Sequence, residues 1–180
     1  MLPLLLALAI IGILLIVVTA GQPDEFKMSR ETRIAAPREK IFPHINDLRA
    51  WEAWSPWAKL DPNAKNSFEG PAAGVGAAMS WSGNKKIGEG RMTITESMPS
   101  ELIGFRLDFV KPYKTTTTAE FAFRPEGSQT RVTWSMSGKS NSFAKVSGLL
   151  MNCDDLAGRD FEKGLASLKA VAESAPGVNA

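Results

Sequence analysis

From Asn141 to about Glu173, apolar residues recur at intervals of three and four: Phe143, Val146, Leu149, Leu150, Cys153, Leu156, Phe161, Leu165, Leu168 and Val171. That period lays one apolar stripe along a helix of up to about eight turns. Asn141 or Ser142 can cap its start, and Pro176-Gly177 closes it. Asp154, Asp155, Arg159, Asp160, Glu162, Lys163 and Lys169 fall mostly on the other side. Gly148, Gly158 and Gly164 each cost about 1 kcal/mol against alanine in a helix. Either a close approach of another backbone or a kink would account for them.

The preceding hundred residues change period from 3.6 to 2. Phe26–Ile34, Asn66–Glu69, Ala77–Trp81, Ile87–Glu96, Leu102–Phe109, Thr115–Phe123 and Arg131–Met136 read as strands. The clearest has Ile103, Phe105, Leu107 and Phe109 on one face, with Leu102, Arg106 and Asp108 on the other. Turn chemistry at Ser82-Gly83-Asn84, Met98-Pro99-Ser100, Lys111-Pro112 and Pro125-Glu126-Gly127 separates them. Links this short imply an antiparallel sheet, which can curve around the long helix. Between the first two strands, Ala36-Pro37 opens a short helix striped by Ile41, Ile45 and Leu48, which Pro43 should kink or shorten. Trp51, Trp54 and Trp57 follow at a spacing of three, and Pro56 ends any helix at Ser55. The fold class is therefore α+β.

Leu2–Ala20 carries no charge and is mostly Leu, Ile, Val and Ala. As a helix it would span about 28 Å, close to a bilayer core of about 30 Å. Residues 1–21 thus read as an N-terminal transmembrane anchor. A cleaved signal peptide is the competing reading, since Val18-Thr19-Ala20 resembles a cleavage site. Residues 22–25 form a linker, 26–173 a single domain, and 174–180 a disordered tail.

Composition narrows the chemistry. A formal charge of +2 over 180 residues, with signs interspersed, gives no case for nucleic acid. A single cysteine excludes an internal disulfide and a thiolate metal cluster, and a single histidine, His44, excludes a histidine-based metal site. No phosphate-binding loop, dinucleotide fingerprint, nucleophile elbow or zinc motif is present, so no cofactor and no metal is expected.

The order of elements resembles the SRPBCC superfamily, which includes START lipid-transfer domains, the birch-pollen allergen family and polyketide cyclase/dehydrase-like proteins. The residues that carry the likeness are Ala35-Ala-Pro-Arg-Glu-Lys-Ile-Phe42, Asp47-Leu-Arg-Ala-Trp51, Trp54-Ser-Pro-Trp57, Trp81-Ser-Gly-Asn84, Gly88-Glu-Gly-Arg-Met92 and Asp160-Phe-Glu-Lys-Gly-Leu165. The bacterial polyketide cyclase-like branch, often with an N-terminal membrane segment, is the nearest match. The resemblance implies a helix-grip fold over residues 26–173. In that fold a curved sheet of six to seven strands closes over a C-terminal helix, with an apolar cavity between them. With the N-terminal run, it places the chain as a single-pass protein of a bacterial cell membrane, the side of the domain left open.

Candidate ligand-binding residues are Trp51, Trp54, Trp57, Trp81, Phe105, Phe109, Phe121, Trp134 and Met151, within a wider set that includes Met79, Met92 and Met136. Pocket walls and packed cores share this composition, so the same side chains also suit an ordinary core. The first expectation is non-catalytic binding of a lipid, isoprenoid or polyketide-like molecule, brought near by the membrane. The second is a cyclase, dehydratase or hydrolase acting on a hydrophobic substrate, with Glu89, Tyr113 and Ser80 as first candidates. The third is a structural partner using the Trp-rich edge. No pair of residues has the spacing of a general acid and base, and the catalytic residues are left unassigned.

Overall fold

The computed structural model describes Gly21, residues 24–139 and residues 153–174. Period-two alternation is realised as seven strands: β1 (Glu25–Ile34), β2 (Lys65–Glu69), β3 (Ala78–Ser82), β4 (Glu89–Met98), β5 (Leu102–Lys111), β6 (Thr115–Glu126) and β7 (Gln129–Lys139). They form one antiparallel sheet in the order β1-β7-β6-β5-β4-β3-β2. Tight turns keep β2 to β7 in sequence order; β1 alone is displaced, lying beside β7. With a C-terminal helix, α3 (Cys153–Ser174), the arrangement fits the expected helix grip.

Between β1 and β2 the chain forms α1 (Arg38–Ile41), α2 (Pro43–Asn46) and a 3-10 turn (Leu48–Ala53). Pro43 has no N–H to continue α1 and instead starts α2, so the expected kink is a break between two single turns. In a 3-10 turn residues three apart eclipse one another, which puts Trp51 and Trp54 together, with ring centroids 4.6 Å apart. Pro125, expected in a turn, lies inside β6 opposite Thr130. β5 ends opposite Ala122, so β6 is paired on one side only beyond it, where a residue lacking an N–H is tolerated.

Val132, Trp134 and Met136 face the same side as Ile103, Phe105 and Phe121, and the core lies between this concave face and the helices. Ile34, Ile41, Ile45, Ile103, Val132, Leu165 and Leu168 are buried there. α3 rests on β1 and the 3-10 turn. Arg30 Nε donates to Glu162 at 3.0 Å, Lys169 Nζ to the Arg33 carbonyl at 2.8 Å, and the Ala35 N–H to Glu173 at 2.6 Å. Two of the helix glycines are explained by close approach, of side chains rather than backbone. A Cβ at Gly158 would strike the Arg30 guanidinium, and one at Gly164 would lie 2.8 Å from Trp134 and 3.0 Å from Pro56.

The membrane assignment is corrected. Among the described residues no helix is long and apolar enough to cross a membrane. The short helices are single turns, and the 22-residue α3 carries Arg159, Asp160, Glu162, Lys163, Lys169 and Glu173. The predicted anchor at 1–20 lies outside the described residues, as does the first part of the predicted long helix, 141–152. The expected placement as a single-pass protein of a bacterial cell membrane therefore does not stand.

The convex face is polar and tied by ion pairs: Arg106–Asp108 at 2.9 Å, Arg91–Glu69 at 3.0 Å, Lys111–Glu89 at 2.8 Å and Arg33–Glu126 at 2.8 Å. Exposed pairs of this kind are screened by solvent and add little to stability. Hydrogen bonds from Arg106 and then Thr116 hold the Asp108 carboxyl below the usual carboxylate range. A carboxyl with a depressed native pKa adds stability above its unfolded pKa and loses it as pH falls through the native one. Acid melts between about pH 5 and pH 2 are therefore expected to show a steeper fall in Tm for the native chain than for Asp108→Asn. Parallel curves would remove Asp108 as a contributor.

Candidate functional site

The 3-10 turn drops Trp51 and Trp54 onto the concave face, where both are buried. Each indole is aimed by one hydrogen bond, Trp51 Nε1 to the Ile45 carbonyl at 2.9 Å and Trp54 Nε1 to the His44 carbonyl at 2.8 Å. Trp51 meets Phe105, Phe121 and Trp134 edge-on, with centroids 5.5–6.2 Å apart. Trp134 stacks on Phe121 at 4.7 Å and on Phe161 of α3 at 3.9 Å. Trp57 is half-buried at the border of this cluster, 5.7 Å from Trp134. Six of the nine candidate residues thus come together in one aromatic mass beneath α3, and five of those six are buried.

Trp81 and Phe109 are elsewhere. They form their own edge-on pair, centroids 5.7 Å apart, at the far end of the sheet. The Trp81 ring lies over Gly90, and its Nε1 donates to the Ile87 carbonyl at 3.1 Å. Met151 lies outside the described residues.

Between the two aromatic groups the strand register draws a continuous row across all seven strands: Phe26, Gly138, Thr117, Leu107, Met92, Met79 and Phe68. Leu107, Met79, Met136, Trp81 and Phe109 on this part of the face are half-buried, and Phe68 is exposed at the β2 edge. Parity alone identified this face. Which rows α3 covers depends on where the helix crosses the strands, and no local pattern encodes that. Phe26, Leu107 and Thr117 were not singled out for that reason, although the alternation that places them on the face was legible.

Among the described residues two shallow depressions, of about 340 and 270 Å³, are lined mainly by convex-face residues such as Ser67, Ser80 and Arg91, and Glu120, Ser135 and Ser137. Neither lies between the sheet and α3, where the binding cavity was expected; residues 140–152, which follow β7, are outside the described part. The three catalytic candidates are not on the concave face. Glu89 pairs with Lys111 and Ser80 approaches Arg91 on the convex side, while Tyr113 is 64% exposed in the β5–β6 turn. Among the described strand residues of the concave face the one ionisable side chain is Arg30, bound to Glu162. No group of acidic, histidine or cysteine residues suited to a metal is found among the described residues.

The family described as polyketide cyclase / dehydrase and lipid transport matches residues 25–173. The chain belongs to this family. Within the polyketide cyclase / dehydrase and lipid transport family, the SRPBCC likeness read from the Trp54-Ser-Pro-Trp57 and Asp160–Leu165 motifs is borne out. Solved structures similar to this family member include a putative uncharacterized protein from Rhizobium leguminosarum, with 13% identity and a TM-score of 0.61, covering 83% of this chain and 95% of that one. Ara h 8.0201 shows 10% identity and a TM-score of 0.58, covering 83% and 99%. The di-domain ARO/CYC BexL from the BE-7585A biosynthetic pathway shows 13% identity and a TM-score of 0.60, covering 89% of this chain and 54% of that one. At these identities the likeness is one of fold. No curated protein matches the chain.

Proposed function

We propose that this chain binds a hydrophobic small molecule of lipid, isoprenoid or polyketide-like character against the concave face of the sheet, bordering the aromatic mass at Trp134. The observation that carries this reading is the apolar patch formed by Leu107, Met79, Met136 and the Trp81–Phe109 pair, side chains left half-buried while the neighbouring cluster of Trp51, Trp54, Phe105, Phe121 and Trp134 is covered. The family description, which names lipid transport, supports the same substrate class. Burying roughly 200–300 Å² of ligand there would yield about 5–8 kcal/mol before the cost of association, enough for a reversible carrier.

Turnover is the rival, suggested by the cyclase and dehydrase in the family description. It would need a proton donor or acceptor beside the substrate. Glu89, Ser80 and Tyr113 lie away from the concave face, and Arg30 is committed to Glu162. That distribution favours binding.

The test is a titration of the full chain with N-phenyl-1-naphthylamine, followed by fluorescence. Leu107→Glu places a carboxylate in the middle of the row and is expected to weaken binding at least about tenfold, which is about 1.4 kcal/mol. Leu107→Met, similar in volume, should bind within about twofold of the native chain. No binding by the native chain, or equal binding by Leu107→Glu, would remove this reading.

A further inference from the structure

We infer that the ligand is oxygenated, and that the Trp134 indole N–H and the Thr117 hydroxyl are the groups that recognise its oxygen; this rests on the binding reading above. Trp51, Trp54 and Trp81 each donate Nε1 to a main-chain carbonyl, at 2.9, 2.8 and 3.1 Å. Trp134 is 2% exposed, and its Nε1 finds no partner among the described residues. Thr117 is 5% exposed, and its Oγ1 likewise has none.

The contrast with neighbouring threonines is local. Thr116 Oγ1 donates to Asp108 at 2.6 Å, Thr118 Oγ1 donates to the Ser137 carbonyl at 3.3 Å, and the buried Thr130 Oγ1 donates to the Ala36 carbonyl at 2.8 Å. Buried polar groups in folded proteins are paired almost without exception, so each unpaired one calls for an explanation. A third atom of this kind, Arg131 Nε, is already explained: the same guanidinium binds Glu31 and Glu126 on the convex side through its other nitrogens. The remaining two both lie on the concave face.

Their placement defines the ligand further. Thr117 is opposite Gly138, and Trp134 lies four residues back along β7, about 13 Å at 3.3 Å per residue. Met136 and Ala119 form the row between them. A rigid molecule lying along the strands would therefore have an apolar middle on Ala119 and Met136, with polar atoms toward its ends. The indole only donates, so the Trp134 end requires an acceptor such as a ketone or ether oxygen. The threonine hydroxyl donates or accepts, so a carbonyl or a hydroxyl suits its end. A hydrocarbon of the same shape would leave both groups unmet, and sites built to hydrogen-bond reject such analogues strongly.

The experiment compares 5α-androstane-3,17-dione with 5α-androstane, which share a rigid tetracyclic frame and differ only in the ketones at its two ends, by calorimetric titration of the full chain. The native chain is expected to prefer the dione by about tenfold or more. Thr117→Val and Trp134→Phe should each shrink that preference while changing androstane affinity by no more than about twofold; Thr117→Ser should retain it. Should Trp134→Phe unfold, the Thr117 pair of variants decides. Equal affinity of the native chain for both compounds, or a preference unchanged in Thr117→Val and Trp134→Phe, overturns this inference and leaves hydrophobic binding intact. Failure to bind either compound or N-phenyl-1-naphthylamine overturns both.

Discussion

Trp54→Ala is expected to lower the unfolding free energy by about 3–5 kcal/mol. The ring is 2% exposed and touches Trp51, Phe121 and Trp134, so its removal opens a void that three rigid aromatic neighbours cannot collapse into. It also strips the His44 carbonyl of its donor. Domains of this size hold a total of about 5–15 kcal/mol, so about a fifth or more of the stability is at stake. Urea unfolding should show a lower midpoint with an unchanged slope, and thermal unfolding a drop of roughly 6–20 °C. Trp54→Phe keeps most of the ring and should lose clearly less. A loss below about 1 kcal/mol for the alanine variant would mean that the aromatic mass is not packed as described.

The second large effect concerns α3. Gly164→Leu adds a side chain where a Cβ alone would already lie 2.8 Å from Trp134 and 3.0 Å from Pro56. Trp134 is pinned between Phe121 and Phe161, and Pro56 has a fixed ring, so neither can yield. Overpacking of this kind costs about 1–3 kcal/mol or more, which exceeds the gain of about 1 kcal/mol from removing a helix glycine. Gly158→Ala meets only the end of the flexible Arg30 side chain. There the loss of a partly exposed ion pair, at most about 1 kcal/mol, is offset by the same helix gain, and the variant should fall within about 1 kcal/mol of the native chain. Denaturant midpoints measured for both variants check the contrast. If Gly164→Leu were as stable as Gly158→Ala, α3 could not lie where it does.

The strands and their faces were legible because alternation and turn chemistry report directly on which side of a pleat a residue occupies. Leu102–Phe109 and the Ser82-Gly83-Asn84 turn were read that way. Boundaries were less so: β6 runs through Pro125 because its far edge has lost its partner, a tertiary fact invisible in the tripeptide. The site was only half legible. Composition named Trp51, Trp54, Phe105, Phe121 and Trp134, yet could not separate residues pressed under α3 from the open Trp81–Phe109 pair. That distinction depends on where a helix crosses the sheet, as does the role proposed for Leu107 and Thr117. The same limit applies to Gly158 and Gly164, whose need for space comes from Arg30 and Trp134, at positions far away in sequence.

β1 pairs along its whole length with β7, and its flank is then clasped by α3 through contacts spanning more than a hundred residues. On the ribosome, the first strand made is the last to find its neighbour. Until residue 139 has emerged, Met28 and Ile34 have no sheet to lie against, and the nascent chain must wait with that strand open to strangers. Chaperone dependence during synthesis, rather than fragility once complete, is the weakness this topology builds in.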